Sequence, residues 1–193
     1  MGRRALLVID MLDDFIRPGG KLYCGPKAEA IVPNVAKRIE EYDATGDPVI
    51  FVCDNHDPDD KEFERFPPHC VVGTKGAEIV SELGFNPTKH TLVPKKRFSG
   101  FYGTNLDTVL FVRFGAAPEF NKKTGTMEHP EAGKTLVEAC GVLTSICVMD
   151  TVAGFCYRNF KTSVRRDCVS DLTDEMHKMA LDRMAAIYGT EIV

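Results

Sequence analysis

Asp10, Lys95 and Cys147 are far apart in the chain but are of the types that thiol chemistry needs. A carboxylate beside a thiol can take its proton, and a nearby ammonium favours the thiolate. Cys147 follows an apolar run, Leu136 to Leu143, and a small polar turn at Thr144 and Ser145. Helix-period residues Val148, Val152 and Phe155 come after it. The spacing predicts a cysteine at the first turn of a helix that begins where a buried strand stops. Unpaired N–H groups and the helix dipole there bias the thiol towards thiolate. The competing assignments are a packed, inert Cys147, a buried Asp10 that accepts a cap hydrogen bond, and a surface Lys95 beside Lys96 and Arg97.

A second group is Asp54-Asn-His56, followed by Glu62 and by Pro67-Pro-His69. Carboxylates and imidazoles together suit Zn²⁺, Mn²⁺ or Fe²⁺, and residues two apart share one face of an extended segment. A solvated acidic loop is the alternative, because Asp57, Asp59 and Asp60 offer carboxylates too. His90, His129 and His177 have no visible partner and are assigned to the surface. Cys24, Cys53, Cys70, Cys140, Cys156 and Cys168 read as small apolar fillers.

These residues need elements to position them. Ala5 to Ile9 is a compact apolar run closed by Asp10, the pattern of a central parallel strand; Pro48 to Cys53, closed by Asp54, repeats it. Between them Ile31, Val35, Ile39 and Tyr42 recur at helical spacing up to Gly46. Asp54 to Gly76 is a polar, proline-bearing loop of a length that is usually functional. Ala77 to Leu83 reads as a short helix, Thr91 to Val93 as a brief strand, and Thr104 as the cap of a helix through Leu106 and Leu110. Residues 114 to 133 read as irregular. Thr135 to Val142 and Thr162 to Val164 are strands, and Thr173 caps a last helix with Met176, Ala180, Met184 and Ile187 on its apolar face. Alternating strands and helices give an α/β three-layer sandwich with a mainly parallel central sheet. Asp10, Lys95 and Cys147 then meet along the edge where the strands end.

The 193 residues suit one domain with one core. A net charge of −4 and no basic stripe give no support to nucleic-acid binding, and no apolar run is long enough for a membrane span. Seven cysteines without paired spacing point to free thiols in a reducing, cytoplasmic setting.

The motifs Val8-Ile-Asp10-Met-Leu-Asp-Asp-Phe15, Asp54-Asn-His56, Phe66-Pro-Pro-His69, Lys95-Lys-Arg-Phe-Ser-Gly-Phe101 and Gly141-Val-Leu-Thr-Ser-Ile-Cys147 together carry a resemblance. The chain resembles the isochorismatase-like cysteine hydrolase superfamily, and within it looks most like the nicotinamidases, from Ala5 to about Leu110 and again from Thr135 nearly to the end. The resemblance implies an isochorismatase-like hydrolase fold and a triad of Asp10 as acid/base, Lys95, and Cys147 as nucleophile. It implies one divalent transition metal held by Asp54, His56 and His69, with Glu62 at the fourth family position. It also implies a cis Val142–Leu143 peptide, an oxyanion hole formed by the N–H groups of Leu143 and Cys147, and a ring-binding pocket flanked by Phe15 and Phe66. The chain departs from the pattern at Asp13, where many relatives carry an amide, at Ile146, and at about 114–133, which reads as an inserted surface segment within a single domain of residues 1–193.

The implied function is hydrolysis of nicotinamide to nicotinate and ammonia through a cysteine thioester, a step of pyridine nucleotide (NAD) salvage. The implied partner is a small-molecule amide, and a homo-oligomer is expected. The alternatives are hydrolysis of another small amide, such as an N-carbamoyl compound, on the same triad, or a catalytically silent interaction protein.

Overall fold

Residues 3–114, 119–129 and 132–193 are described by a computed structural model. In chain order the strands are β1 (Arg3–Ile9), β2 (Val49–Asp54), β3 (Thr91–Lys95), β4 (Glu119–Asn121), β5 (Thr126–Glu128), β6 (Thr135–Val142), β7 (Lys161–Ser170) and β8 (Glu191–Ile192). The helices are α1 (Asp13–Ile16), α2 (Pro26–Ala30), α3 (Val32–Thr45), α4 (Leu106–Phe114), α5 (Met149–Cys156) and α6 (Asp174–Tyr188).

Six strands form one parallel sheet in the order β3-β2-β1-β6-β7-β8. The central strands are buried on both faces, which is why β1, β2 and β6 are written as nearly unbroken apolar runs. Side chains alternate between the two faces. Leu6 and Val8 pack with Val35, Ile39 and Phe51 on the α3 side. Leu7 and Ile9 pack with Leu106, Val152 and Leu181, from α4, α5 and α6, on the other. The result is the expected three-layer α/β sandwich. Among the described residues no helix is long and apolar enough to cross a membrane.

Local signals set the helix ends. Gly46 stops α3 in the left-handed conformation (φ +72°), and Gly189 does the same after α6. Thr104 Oγ1 accepts from Leu106 N at 3.2 Å, and Thr173 Oγ1 from Met176 N at 3.2 Å.

Three local expectations are corrected. Ala77 to Leu83 is not a helix beyond a short 3₁₀ turn at Ser81–Leu83. Glu78 O accepts from Asp13 N and Val80 N donates to Met11 O, so this segment is held extended against the residues after β1. Ile187 is exposed rather than core. Residues 119–128, expected to be irregular, form the antiparallel β4–β5 hairpin. Parts of the 114–133 segment (residues 115–118, 130 and 131) lie outside the described residues.

Candidate active site

Strand order reverses between β1 and β6: the chain builds outward through β2 and β3 on one side and through β7 and β8 on the other. At such a switch point the loops leaving the strand ends diverge and open a crevice for ligands. Asp10 follows β1, Asp54 and Lys95 end β2 and β3 as register partners, and the turn bearing Cys147 follows β6.

Asp10 is buried and sits in the left-handed region at φ +52°, a conformation that aspartate tolerates better than most residues. Its N–H donates to Val52 O at 3.0 Å and its Oδ1 accepts from Asp54 N at 2.8 Å, so the backbone of β2 fixes the carboxylate. Lys95 is not a surface residue. Only 1% of it is exposed, and its ammonium lies 2.7 Å from Asp10 Oδ2, 2.5 Å from Asp54 Oδ1 and 3.6 Å from Cys147 Sγ. The ammonium donates to Asp54 and to Cys147 and is ion-paired with Asp10.

Electrostatics assign the resting protons. Burial and the neighbouring Asp54 raise the Asp10 pKa to about 6 against the pull of Lys95. Burial opposes charge on Lys95, but Asp10 and Asp54 outweigh it and hold the ammonium well above its usual range. Burial raises the Cys147 pKa well above the usual thiol value; Lys95 pulls it down, and Asp10 and Asp54 push it up. The resting group is therefore a thiol, which corrects the expectation of a thiolate at a helix start. Burial is the largest cause. Cys147 itself lies in a π-helical turn, Thr144–Val148, that leads into α5.

Asp54, His56 and His69 are all buried, and each offers one ligand atom within 4.8 Å of the others. His56 Nε2 and His69 Nε2 lie 3.7 and 3.9 Å from Asp54 Oδ2. The other ring nitrogens are engaged: His56 Nδ1 with Asp60 Oδ2 at 3.1 Å and His69 Nδ1 with Pro67 O at 2.9 Å. That pattern leaves both Nε2 lone pairs turned to one point, the arrangement by which outer partners orient metal-bound imidazoles. Burial lowers the basicity of His56, but Asp54 and Asp60 raise it above the usual imidazole value. Among the described residues His56 Nε2 and Glu62 Oε2 are buried without a hydrogen-bond partner, and buried polar atoms are rarely left so. The donor set fits a divalent transition ion. Of the three nearby carboxylates, Asp57 pairs with Lys96 at the surface, whereas Asp60 turns inward to His56 and Arg97.

A cavity of about 320 Å³ opens over these groups, with Asp10, Asp54, Glu62, His69 and Cys147 in its lining. Phe15 and Phe66 line it as well, with ring centroids 5.6 and 6.4 Å from that of His69. Sequence reasoning missed Leu22, Tyr23, Cys24, Phe98 and Leu172, which complete the wall. The Pro18-Gly-Gly turn was the signal for the first three. It folds residues 22–24 back so that Cys24 N donates to Phe15 O, and a side chain at Gly20 would strike Asp14 O.

The Val142–Leu143 peptide is cis. In the turn that follows, Leu143 O accepts from Ile146 N and Val148 N at 3.1 and 3.2 Å. The remaining histidines are not surface residues. His90 is buried against Phe51 and Asp43, His129 is buried beside Asp107 and Phe160, and the half-buried His177 bonds to Thr144.

A parallel α/β sheet with a buried acid, lysine and cysteine at its switch point defines the class to which comparison with known proteins assigns the chain. Residues 4–112 and 130–192 match the family described as Isochorismatase domain. The chain belongs to that family, within the isochorismatase-like cysteine hydrolase superfamily. Nicotinamidase PncA from Bacillus subtilis superposes with a TM-score of 0.83 at 27% identity, over 99% of each chain. N-carbamoylsarcosine amidase from Thermoplasma acidophilum gives 0.80 at 31% identity, over 98% of this chain and 95% of that one. An Arabidopsis thaliana protein described as a probable inactive nicotinamidase is 31% identical over 183 residues, 90% of this chain and 83% of the relative.

Proposed function

We propose that the protein is a metal-containing amidohydrolase that converts nicotinamide to nicotinate and ammonia through a thioester on Cys147. The observation that carries this reading is the contact of Lys95 with Asp10 and Cys147 beside the Asp54–His56–His69 group, beneath an aromatic and apolar cavity. Among the described residues no arginine or lysine lines the cavity. Arg97 is paired with Asp60 instead. A flat, neutral amide therefore suits the lining better than an N-carbamoyl amino acid, whose carboxylate would have no basic side chain to meet.

In this reading Asp10, kept ionised by Lys95, takes the Cys147 proton as sulfur attacks the carboxamide carbon. The C–S bond forms while the carbonyl π electrons move to oxygen. The N–H groups of Leu143 and Cys147 hold that charge, a kind of contact worth about 3 kcal/mol per donor in other enzymes. Asp10 returns its proton to the departing ammonia, then takes one from the water that attacks the thioester, and the carboxylate leaves as the thiol is restored. A divalent ion of Zn, Mn or Fe, held by Asp54, His56 and His69 with Glu62 beside them, would supply a coordination position that orients the ring. Phe15 and Phe66 keep the ring flat.

Related folds carry nicotinamide and N-carbamoyl chemistry, and one relative is described as inactive, so the test compares substrates. Ammonia release is measured from nicotinamide, benzamide and N-carbamoylsarcosine at equal concentration, with Cys147→Ala as the blank. Nicotinamide should react fastest and benzamide slower by orders of magnitude, because benzamide lacks the ring nitrogen that a polar site engages. Fastest release from N-carbamoylsarcosine would transfer the assignment to the other amide class. No release from any of them by metal-loaded protein would leave the silent reading.

A further inference from the structure

Asp171 directly follows β7 and is only 3% exposed, yet the chemistry proposed above gives it no part. Each of its oxygens accepts one backbone N–H: Oδ2 from Ser145 at 2.6 Å and Oδ1 from Leu172 at 2.8 Å. Among the described residues no lysine or arginine pairs with it. A buried carboxylate without a counter-ion is expensive unless hydrogen bonds to N–H groups replace its water. What those bonds hold is informative. Ser145 lies between Leu143 and Cys147 in the same turn, and Leu172 lines the cavity. A second tie reaches this turn from α6, where His177 Nδ1 lies 2.9 Å from Oγ1 of the fully buried Thr144.

We propose that Asp171 is a positioning residue for the oxyanion hole. By drawing the Ser145 N–H towards the end of β7, it fixes the turn on which the Leu143 and Cys147 N–H groups are mounted. This rests on the thioester reading and extends it to a residue that need not touch the substrate. An oxyanion hole works because its donors already stand where charge will develop, so a loosened turn loses rate even with every donor still present. The Leu143 O contacts with Ile146 N and Val148 N close the turn upon itself but do not tie it to the sheet. Asp171 and His177 supply that tie, and of the two only Asp171 bonds to the turn's backbone.

The test compares the metal-containing wild type with Asp171→Ala and Asp171→Asn in three measurements. The first is kcat and KM on nicotinamide. The second is affinity for pyridine-3-carbaldehyde. Its carbonyl carbon forms a bond to Cys147 sulfur, its oxygen takes the charge, and Asp10 receives the thiol proton. The third is the rate of iodoacetamide alkylation at Cys147, read by peptide mapping. Alkylation displaces iodide from a saturated carbon and creates no oxyanion.

For Asp171→Ala, kcat should fall about 100-fold and aldehyde affinity by a similar factor, the size of losing one oxyanion donor. KM and the alkylation rate should stay within about threefold of wild type, since neither depends on the transition-state charge. Asp171→Asn keeps one acceptor oxygen but turns its NH₂ towards the other N–H, so its losses should be intermediate. It also serves for the comparison if the alanine variant does not fold. Wild-type aldehyde affinity in a folded variant, or alkylation slowed in step with kcat, overturns the positioning role. A wild type that neither releases ammonia nor binds the aldehyde overturns the thioester reading itself, and this inference with it.

Discussion

Asp54 and Lys95 are register partners at the ends of β2 and β3, and the single Asp54 carboxylate faces two ways. Its Oδ1 lies 2.5 Å from the Lys95 ammonium, while its Oδ2 lies 3.7 and 3.9 Å from the ε nitrogens of His56 and His69. The group next to the thiol and the group suited to a metal therefore share a residue. In sequence, 41 positions separate Asp54 from Lys95, and the two groups read as independent.

That sharing separates two variants. Asp54→Asn and His56→Ala should both lose bound metal by elemental analysis. Only Asp54→Asn also removes a negative charge that opposes ionisation of Cys147 and an anchor that holds Lys95. Iodoacetamide should label Cys147 faster in Asp54→Asn than in His56→Ala, because one of the charges that keep the thiol protonated is gone. Equal rates would mean that the two groups act independently.

Asp60 orients His56 through Nδ1, accepts from Glu62 N at 2.9 Å and pairs with Arg97. Asp60→Ala should weaken metal binding about 10- to 100-fold, as loss of an outer partner does elsewhere. Competition against a chromophoric chelator measures this without any enzyme assay. Unchanged affinity would show that His56 needs no help from Asp60.

Phe98 lines the cavity with its ring 6.3 Å from that of Phe66, approached edge-on. It makes no hydrogen bond or ion pair with Asp10, Lys95 or Cys147. Phe98→Ala should raise KM for nicotinamide about tenfold and leave kcat nearly unchanged, the signature of lost uniform binding. A fall in kcat instead would place Phe98 in the alignment of the reacting carbonyl.

Gly141 has φ +116°, and a Cβ there would lie 1.9 Å from Ile9 O, the carbonyl just before Asp10. Gly103 has φ +65° with open space around it. Urea unfolding should show Gly141→Ala destabilised by about 3 kcal/mol or more, because strain and backbone overlap add. Gly103→Ala should lose only about 1 kcal/mol, from strain alone. Similar losses in the two would mean that β1 and β6 can separate without cost.

The sequence by itself determined the central strands, the longer helices and the residues that end those strands, but not α1, α2, β8 or the β4–β5 hairpin. Runs such as Ala5 to Ile9 and the spacing of Val35, Ile39 and Tyr42 report burial through local periodicity, which needs no knowledge of the rest of the chain. Asp10, Asp54 and Cys147 were legible because they punctuate those runs, and a parallel sheet must bring such ends to one edge. Tertiary structure alone decided that Lys95 is buried among them rather than lying beside Lys96 and Arg97 at the surface. It also decided that Asp60 turns to His56, and that Phe98, Leu172 and Leu22 to Cys24 wall the cavity. The protonated resting state of Cys147 belongs with these. A helix start argues for thiolate from local chain direction, but pKa depends on burial and on charges a few ångströms away through space. Periodicity along the chain encodes neither of these, and only the packed fold sets them.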